Sequence, residues 1–189
     1  MSPKFFRLGL LAAFVLQAAL LAWMIVDRAL LLKNGKEVRL AVVPVDPRDL
    51  LRGDYVILSY PMSRIMSDEI DGDDDFNYYD TVYVSVAEAP EGWQATSIHR
   101  APPQEGVFLK GLVENIYVRD SCKVAAPCSE YQIAYNLEQF FVPEGEGREL
   151  ETLRNDQRMS VDVAVAGNGR SALKRLLVDG EVRYEEKLY

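Results

Sequence analysis

Thr81-Val82-Tyr83-Val84-Ser85-Val86-Ala87-Glu88 alternates in character, and places Val82, Val84 and Val86 on one face of an extended chain. A period of two is the mark of a strand with one buried side. Working outward, residues 93–99 form the next strand after a turn containing Pro90 and Gly92. Residues 107–118 make a long strand, with Gly111 read as a bulge. Upstream, 36–45 and 54–60 read as strands, and downstream 130–142 reads as one bent strand or two joined ones. Gly167-Asn168-Gly169 joins strands at 160–166 and 171–178, a hairpin signal, and Asp179-Gly180 turns the chain into a last strand at 181–184. Residues 149–158 are the helical candidate of this region. Short strands separated by turns predict a mainly β fold, an antiparallel sandwich or barrel-like domain with one short helix.

The N-terminal end has a different character. From Leu8 to Val26 the chain runs through nineteen residues with no charge and one amide, Gln17. At 1.5 Å per residue this is about 28 Å of helix, close to the hydrocarbon thickness of a bilayer. It is apolar on all sides, unlike a soluble helix with a polar stripe. It exceeds the apolar core of a cleaved signal peptide, and Ala19-Leu20-Leu21-Ala22 offers no clean pair of small residues for cleavage. The expected partition is therefore 1–7 as a cytoplasmic N-terminus, 8–26 as an uncleaved transmembrane helix in contact with the lipid bilayer, 27–35 as a linker, and 36–189 as the β-rich domain.

Charge is uneven between these parts. The chain has 21 Lys+Arg and 29 Asp+Glu; three and one of these fall within residues 1–28, leaving 18 against 28 in the remainder. So acidic a domain repels nucleic acid and anionic lipid heads. With 49% hydrophobic residues and ten tyrosines, the chain has the material for a packed core. Orientation by charge is close to a tie: Lys4 and Arg7 stand against Arg28, Lys33 and Lys36. Cys122 and Cys128 bear on it. They are either free thiols in a reducing compartment or a disulfide closing a short hairpin-end loop, which would stabilise the fold by about 2–2.5 kcal/mol in the chain-entropy model. The disulfide reading places the domain on the oxidising side, in the periplasm or its equivalent. Two cysteines and a remote His99 are too few for structural zinc.

The most distinctive segment is Arg52-Gly53-Asp54-Tyr55-Val56-Ile57-Leu58-Ser59-Tyr60. Gly53, Asp54, Tyr55, Leu58 and Tyr60 match the string G-D-Y-x-x-L-x-Y. With Gly106-Val107-Phe108-Leu109-Lys110-Gly111, the run from Glu138 to Gly145, and Gly169-Arg170-Ser171-Ala172-Leu173-Lys174 in order, the chain resembles the GDYXXLXY family. It departs at Asn136, where the family pattern leads one to expect glycine. The resemblance implies a membrane-anchored bacterial protein associated with a polytopic membrane protein, and carries no established activity. By its residues alone, Gly53-Asp54 is a turn signal and Asp54 a local hydrogen-bond acceptor, with Val56, Leu58 and Tyr60 on one face of the following strand.

Catalytic constellations are sparse. Residues 50–56 are similar to a segment of type I signal peptidases, but the position nine before Asp54 is Val45, and neither serine nor threonine occurs between Asn34 and Tyr55. A histidine triad would rest on His99 alone. Asp54 with Glu138 or Glu144 could form a carboxylate pair, so the candidate binding residues are Arg52, Gly53, Asp54, Tyr55, Tyr60, Glu138 and Glu144. In the acidic stretch, Asp71, Asp73 and Asp75 stand at positions 1, 3 and 5 of a calcium-loop register; Phe76 then replaces its glycine and Val82 its final glutamate. No cofactor is expected. The reading is a noncatalytic, membrane-tethered accessory or interaction module of the bacterial inner membrane. The alternative is an envelope enzyme or a small-ligand or metal-binding domain built around Asp54 and Glu138.

Overall fold

A computed structural model describes residues 3–44, 55–90, 92–120, 122, 127–143 and 146–186. The apolar segment lies within helix α1 (Pro3–Asn34). Its stretch from Arg7 to Asn34 is long and apolar enough to cross a membrane, and nothing in the described domain covers the most apolar part of it. The helix does not stop at Val26. Residues 27–34, expected as part of a linker, remain helical, and the chain turns at Gly35 straight into β1 (Lys36–Ala41). The turn is tight: the Gly35 N–H donates to the Leu31 carbonyl at 2.9 Å, and a Cβ on Gly35 would lie 2.7 Å from that oxygen.

The remaining elements follow as β2 (Tyr55–Ile57), a 3-10 turn (Pro61–Ser63), β3 (Arg64–Met66), β4 (Asp71–Gly72), β5 (Thr81–Ala89), β6 (Gly92–His99), β7 (Val107–Arg119), β8 (Cys128–Ala134), β9 (Gln139–Phe141), α2 (Gly147–Asn155), β10 (Met159–Val165), β11 (Ser171–Val178) and β12 (Glu181–Glu185). They build three sheets: β1-β10-β11-β12, β2-β9 and β3-β8-β7-β5-β6-β4. Every pairing is antiparallel except β4 with β6. Backbone bonds extend two ladders and join the sheets. The Val42 N–H donates to Met159 O and the Leu58 N–H to Glu138 O, continuing β1–β10 and β2–β9, while the Val43 N–H donates to Ser59 O and the Lys110 N–H to Gly169 O between sheets.

One core fills the resulting half-barrel. Val38 and Leu40 enter it from the first sheet, Val56 and Phe140 from the second, and Val82, Val84, Leu109 and Ile133 from the third. The alternation in β5 predicts this correctly: Val82, Val84 and Val86 are all buried. Residues 130–142 resolve into two strands, β8 and β9, separated by Asn136 at φ 58°. Asparagine is among the few non-glycine residues that visit this left-handed region readily, so the turn persists without the expected glycine. Gly111 is not a bulge. The register shift in β7 falls between Val113 and Asn115, and Gly111 is where the backbone passes close to β8, a Cβ there meeting Ile133 Cγ2 at 2.4 Å.

Candidate functional site

Of the residues singled out for chemistry, Arg52, Gly53, Asp54 and Glu144 lie outside the described residues. Tyr55 is placed by its backbone, opposite Phe141 in the β2–β9 ladder. The described half of the motif points inward as its periodicity requires, with Val56, Leu58 and Tyr60 buried. The Tyr60 hydroxyl donates to the Leu137 carbonyl at 2.6 Å, and the Tyr135 hydroxyl donates to the Met62 carbonyl at 2.8 Å. The two tyrosines thus lock the 60–63 and 135–138 turns together from both sides. Burial pushes both hydroxyls well above the ordinary tyrosine range, and the nearby Glu138 charge adds to the effect.

Glu138 sits at this junction as a turn-holding group. Its two carboxylate oxygens accept from the Tyr135 N–H at 2.6 Å and from the Leu137 N–H at 2.9 Å. Each oxygen is therefore engaged by backbone around the left-handed Asn136. That arrangement orders the turn and leaves each carboxylate oxygen a further acceptor site.

The acidic loop is organised around a cation of the protein's own. The Arg100 backbone N–H donates to Asp73 at 2.8 Å, its guanidinium meets Asp80 at 3.4 Å and Asp75 at 3.8 Å, and it lies 5.0 Å from the centre of the Phe76 ring. Phe76 is buried, edge-on to Tyr131, and the Tyr131 hydroxyl donates to the Asp74 carbonyl. The residue that occupies the glycine position of the calcium register is thus a core side chain, which explains why the register cannot close. Asp71, Asp73 and Asp75 are not drawn together. Among the described residues, the group that brings ligand atoms of this kind within reach of one another is Asp68 with Cys122 and Cys128. Those two cysteines are bonded to each other, with Cα atoms 6.0 Å apart, so they close the β7–β8 loop and offer no thiolate.

Three arrangements were not foreseen from the sequence. Ser97 Oγ lies 2.7 Å from His99 Nε2, since residues i and i+2 of β6 share a face. A nucleophile–base pair also needs an orienting group and an oxyanion site; these two residues do not line the largest cleft described below. Asp162 is buried between Arg39 at 2.7 Å and Arg175 at 2.9 Å, and Glu37 extends the network to Arg175 and Lys174. Burial alone would raise the Asp162 carboxyl, but the hydrogen bonds and charges of Arg39 and Arg175 outweigh it and hold the carboxyl below its usual value. Arg154 is also buried, donating to the Ile57 carbonyl at 2.9 Å and so docking α2 onto the motif strand. Its signal in the sequence is a position four residues after Leu150, on the apolar face of an otherwise polar helix.

A cleft of about 760 Å³ opens between β9 and β12, lined by Arg28, Glu114, Glu138, Phe140, Tyr184 and Glu185 among others. A second of about 470 Å³ lies where α1 meets the β10–β11 turn. There Arg170 holds Asp27 through two bonds of 2.6 and 2.9 Å, and Leu31 and Leu32 pack on Ala164 and Ala172.

No curated protein and no solved structure matches the chain. A family model described as GDYXXLXY protein matches residues 17–176, from within α1 to within β11, so the chain belongs to the GDYXXLXY protein family.

Proposed function

We propose that this protein is a membrane-anchored, noncatalytic accessory or interaction module of the bacterial envelope, working beside a polytopic membrane protein. In this reading residues 8–26 cross the inner membrane and the β domain stands on the extracytoplasmic side. The observation that carries it is the unbroken passage of α1 into the domain. Asp27 is clamped by Arg170, Arg28 faces Glu186 at 3.7 Å, and Leu31 and Leu32 rest on the outer face of the β10–β11 ladder. Residues 27–34 add about 12 Å of helix between the apolar span and β1. A domain held this way keeps one height and one orientation over the bilayer. That suits contact with a neighbour embedded in the same bilayer better than capture of soluble substrates at a distance. The Cys122–Cys128 bond supports the oxidising side. The use of Tyr60, Tyr135 and Glu138 on backbone groups supports a scaffold over a catalytic centre.

A C-terminal alkaline phosphatase fusion should be active and a GFP fusion dark; the reverse pair would overturn the orientation. Crosslinked intact membranes should yield a polytopic protein with the full-length chain. Inserting about eight Gly/Ser residues after Asn34, a flexible coil, should lower that yield while the domain stays folded. An unchanged yield would remove rigidity from the argument.

A further inference from the structure

We infer that the cleft between β9 and β12 receives an extended, lysine- or arginine-bearing segment of the polytopic partner, laid down as an added strand. This deepens the interaction-module reading and rests on it. β12 is the last strand of the four-stranded sheet, and β9 pairs with β2 alone, so among the described residues each has an edge without a strand partner. Such edges present N–H and C=O groups to any extended chain that reaches them. Here the two flank one cleft. Phe140 and Tyr184, whose ring centroids are 6.3 Å apart, line it, and Leu173 adds apolar surface.

The charge of the walls selects the occupant. Among the described residues, Glu114, Glu138, Glu185 and Glu186 line the cleft against one arginine, Arg28. Arg28 offsets Glu186, and Glu138 is engaged by the turn it holds. Glu114 and Glu185 stand exposed on strands from different sheets. A chain threaded between them and carrying alternate cations meets both. Location narrows the source. Arg28 is two residues beyond Val26, about 3 Å of helix rise past the apolar span. With residues 8–26 in the bilayer, the Arg28 side of the cleft lies near the membrane surface, within reach of loops and span-flanking segments of a bilayer neighbour.

The test uses full-length protein in nanodiscs and three labelled peptides: alternating Val-Lys, alternating Val-Glu, and Val-Lys with alternate backbone nitrogens methylated. The Val-Lys peptide should bind, and Val-Glu and the methylated peptide should each bind at least about tenfold more weakly, as expected when charge and strand pairing both contribute. Glu114→Lys with Glu185→Lys should cause a similar loss, and Glu114→Gln with Glu185→Gln a smaller one, at unchanged melting temperature. Equal binding of the methylated peptide would overturn the added strand and leave only charge adhesion. Binding that appears only as a dimer dissociates would overturn it in favour of a second copy of this chain. If the double lysine variant loses the peptide but still copurifies a polytopic protein, the cleft proposal fails and the module reading stands. If Val-Lys binds as described but no polytopic protein is ever recovered, the module reading fails and the cleft remains a basic-peptide site.

Discussion

The motif segment and the acidic loop both drew attention as places for chemistry, and the fold treats them in opposite ways. At 60–63 the buried polar groups are satisfied across the junction with the 135–138 turn: the Tyr60 hydroxyl by the Leu137 carbonyl, and the Tyr135 hydroxyl in return by the Met62 carbonyl. At 71–80 the carboxylates stay at the surface around Arg100, and the one side chain that enters the core is aromatic, Phe76. Equal density of functional-looking residues thus conceals unequal energetics. An interior hydrogen bond leaves an expensive orphan when cut, whereas an exposed ion pair leaves two solvated ions.

The widest contrast should appear on truncation. Tyr60 is 1% exposed and Tyr79 76% exposed. Tyr60→Ala should cost about 3–5 kcal/mol, the range for removing a large buried ring. Tyr79→Ala should stay within about 0.5 kcal/mol. Urea unfolding of the two variants measures both. Tyr60→Phe isolates the hydroxyl. A wet hydroxyl would make it mild, but this one serves a buried carbonyl, so the variant should lose about 1–3 kcal/mol. A neutral Tyr60→Phe would mean that the lock is decorative and that packing alone holds the motif.

Alkaline pH should separate the regions next. Tyr60 and Tyr135 have hydroxyl pKa values raised well above the reference of 10.0, first by burial and then by Glu138. An acid whose folded pKa is raised favours the fold while both states are protonated. Above about pH 10 the unfolded chain releases protons that the folded one keeps, so stability falls with pH. The limiting slope is about 1.4 kcal/mol per unit for each group, until the folded values are reached. Wild type should therefore lose stability from pH 10 to 11 more steeply than Tyr60→Phe/Tyr135→Phe. Parallel curves would show that the two hydroxyls are not protected.

Much of this architecture was legible because it rests on local periodicity. The valines of β5, the Gly167-Asn168-Gly169 hairpin and the apolar run in α1 each report their own environment. What was not legible depends on partners distant in sequence. Tyr60 meets Leu137 across 77 positions and Arg39 meets Asp162 across 123. No local pattern encodes which carbonyl a buried hydroxyl will find. The helical form of the expected 27–35 linker was hidden for a related reason. Its charges mark the end of an apolar run, but Asp27 is matched by Arg170 and the helix continues because the sheet supplies a surface for it. The candidate site was only partly legible: Glu138 was singled out for its charge, while its role follows from the left-handed Asn136 beside it.

The smallest effect belongs to the acidic loop, and it tests whether this loop is a cation site at all. Asp75 is almost fully exposed, and its approach to Arg100 is 3.8 Å, a geometry that contributes little in water. Replacing Asp71, Asp73 and Asp75 together by asparagine should change stability by no more than about 1 kcal/mol, with the change shrinking as salt is added. Asp73 should account for most of it, because its carboxylate also receives the Arg100 backbone N–H. Calcium at millimolar concentration should leave the wild-type melting temperature within about 2 °C, since a ligand stabilises only by occupying a site in the folded state. The guanidinium of Arg100 already stands between Asp75 and Asp80, over the Phe76 ring, where an added cation would have to sit. Arg100→Gln removes that resident charge. If the loop has latent calcium affinity, this variant should reveal it as a calcium-dependent rise in melting temperature that wild type lacks. If neither protein responds, the aspartates are spaced for solvation and for Arg100, and the contrast with the motif segment holds in full.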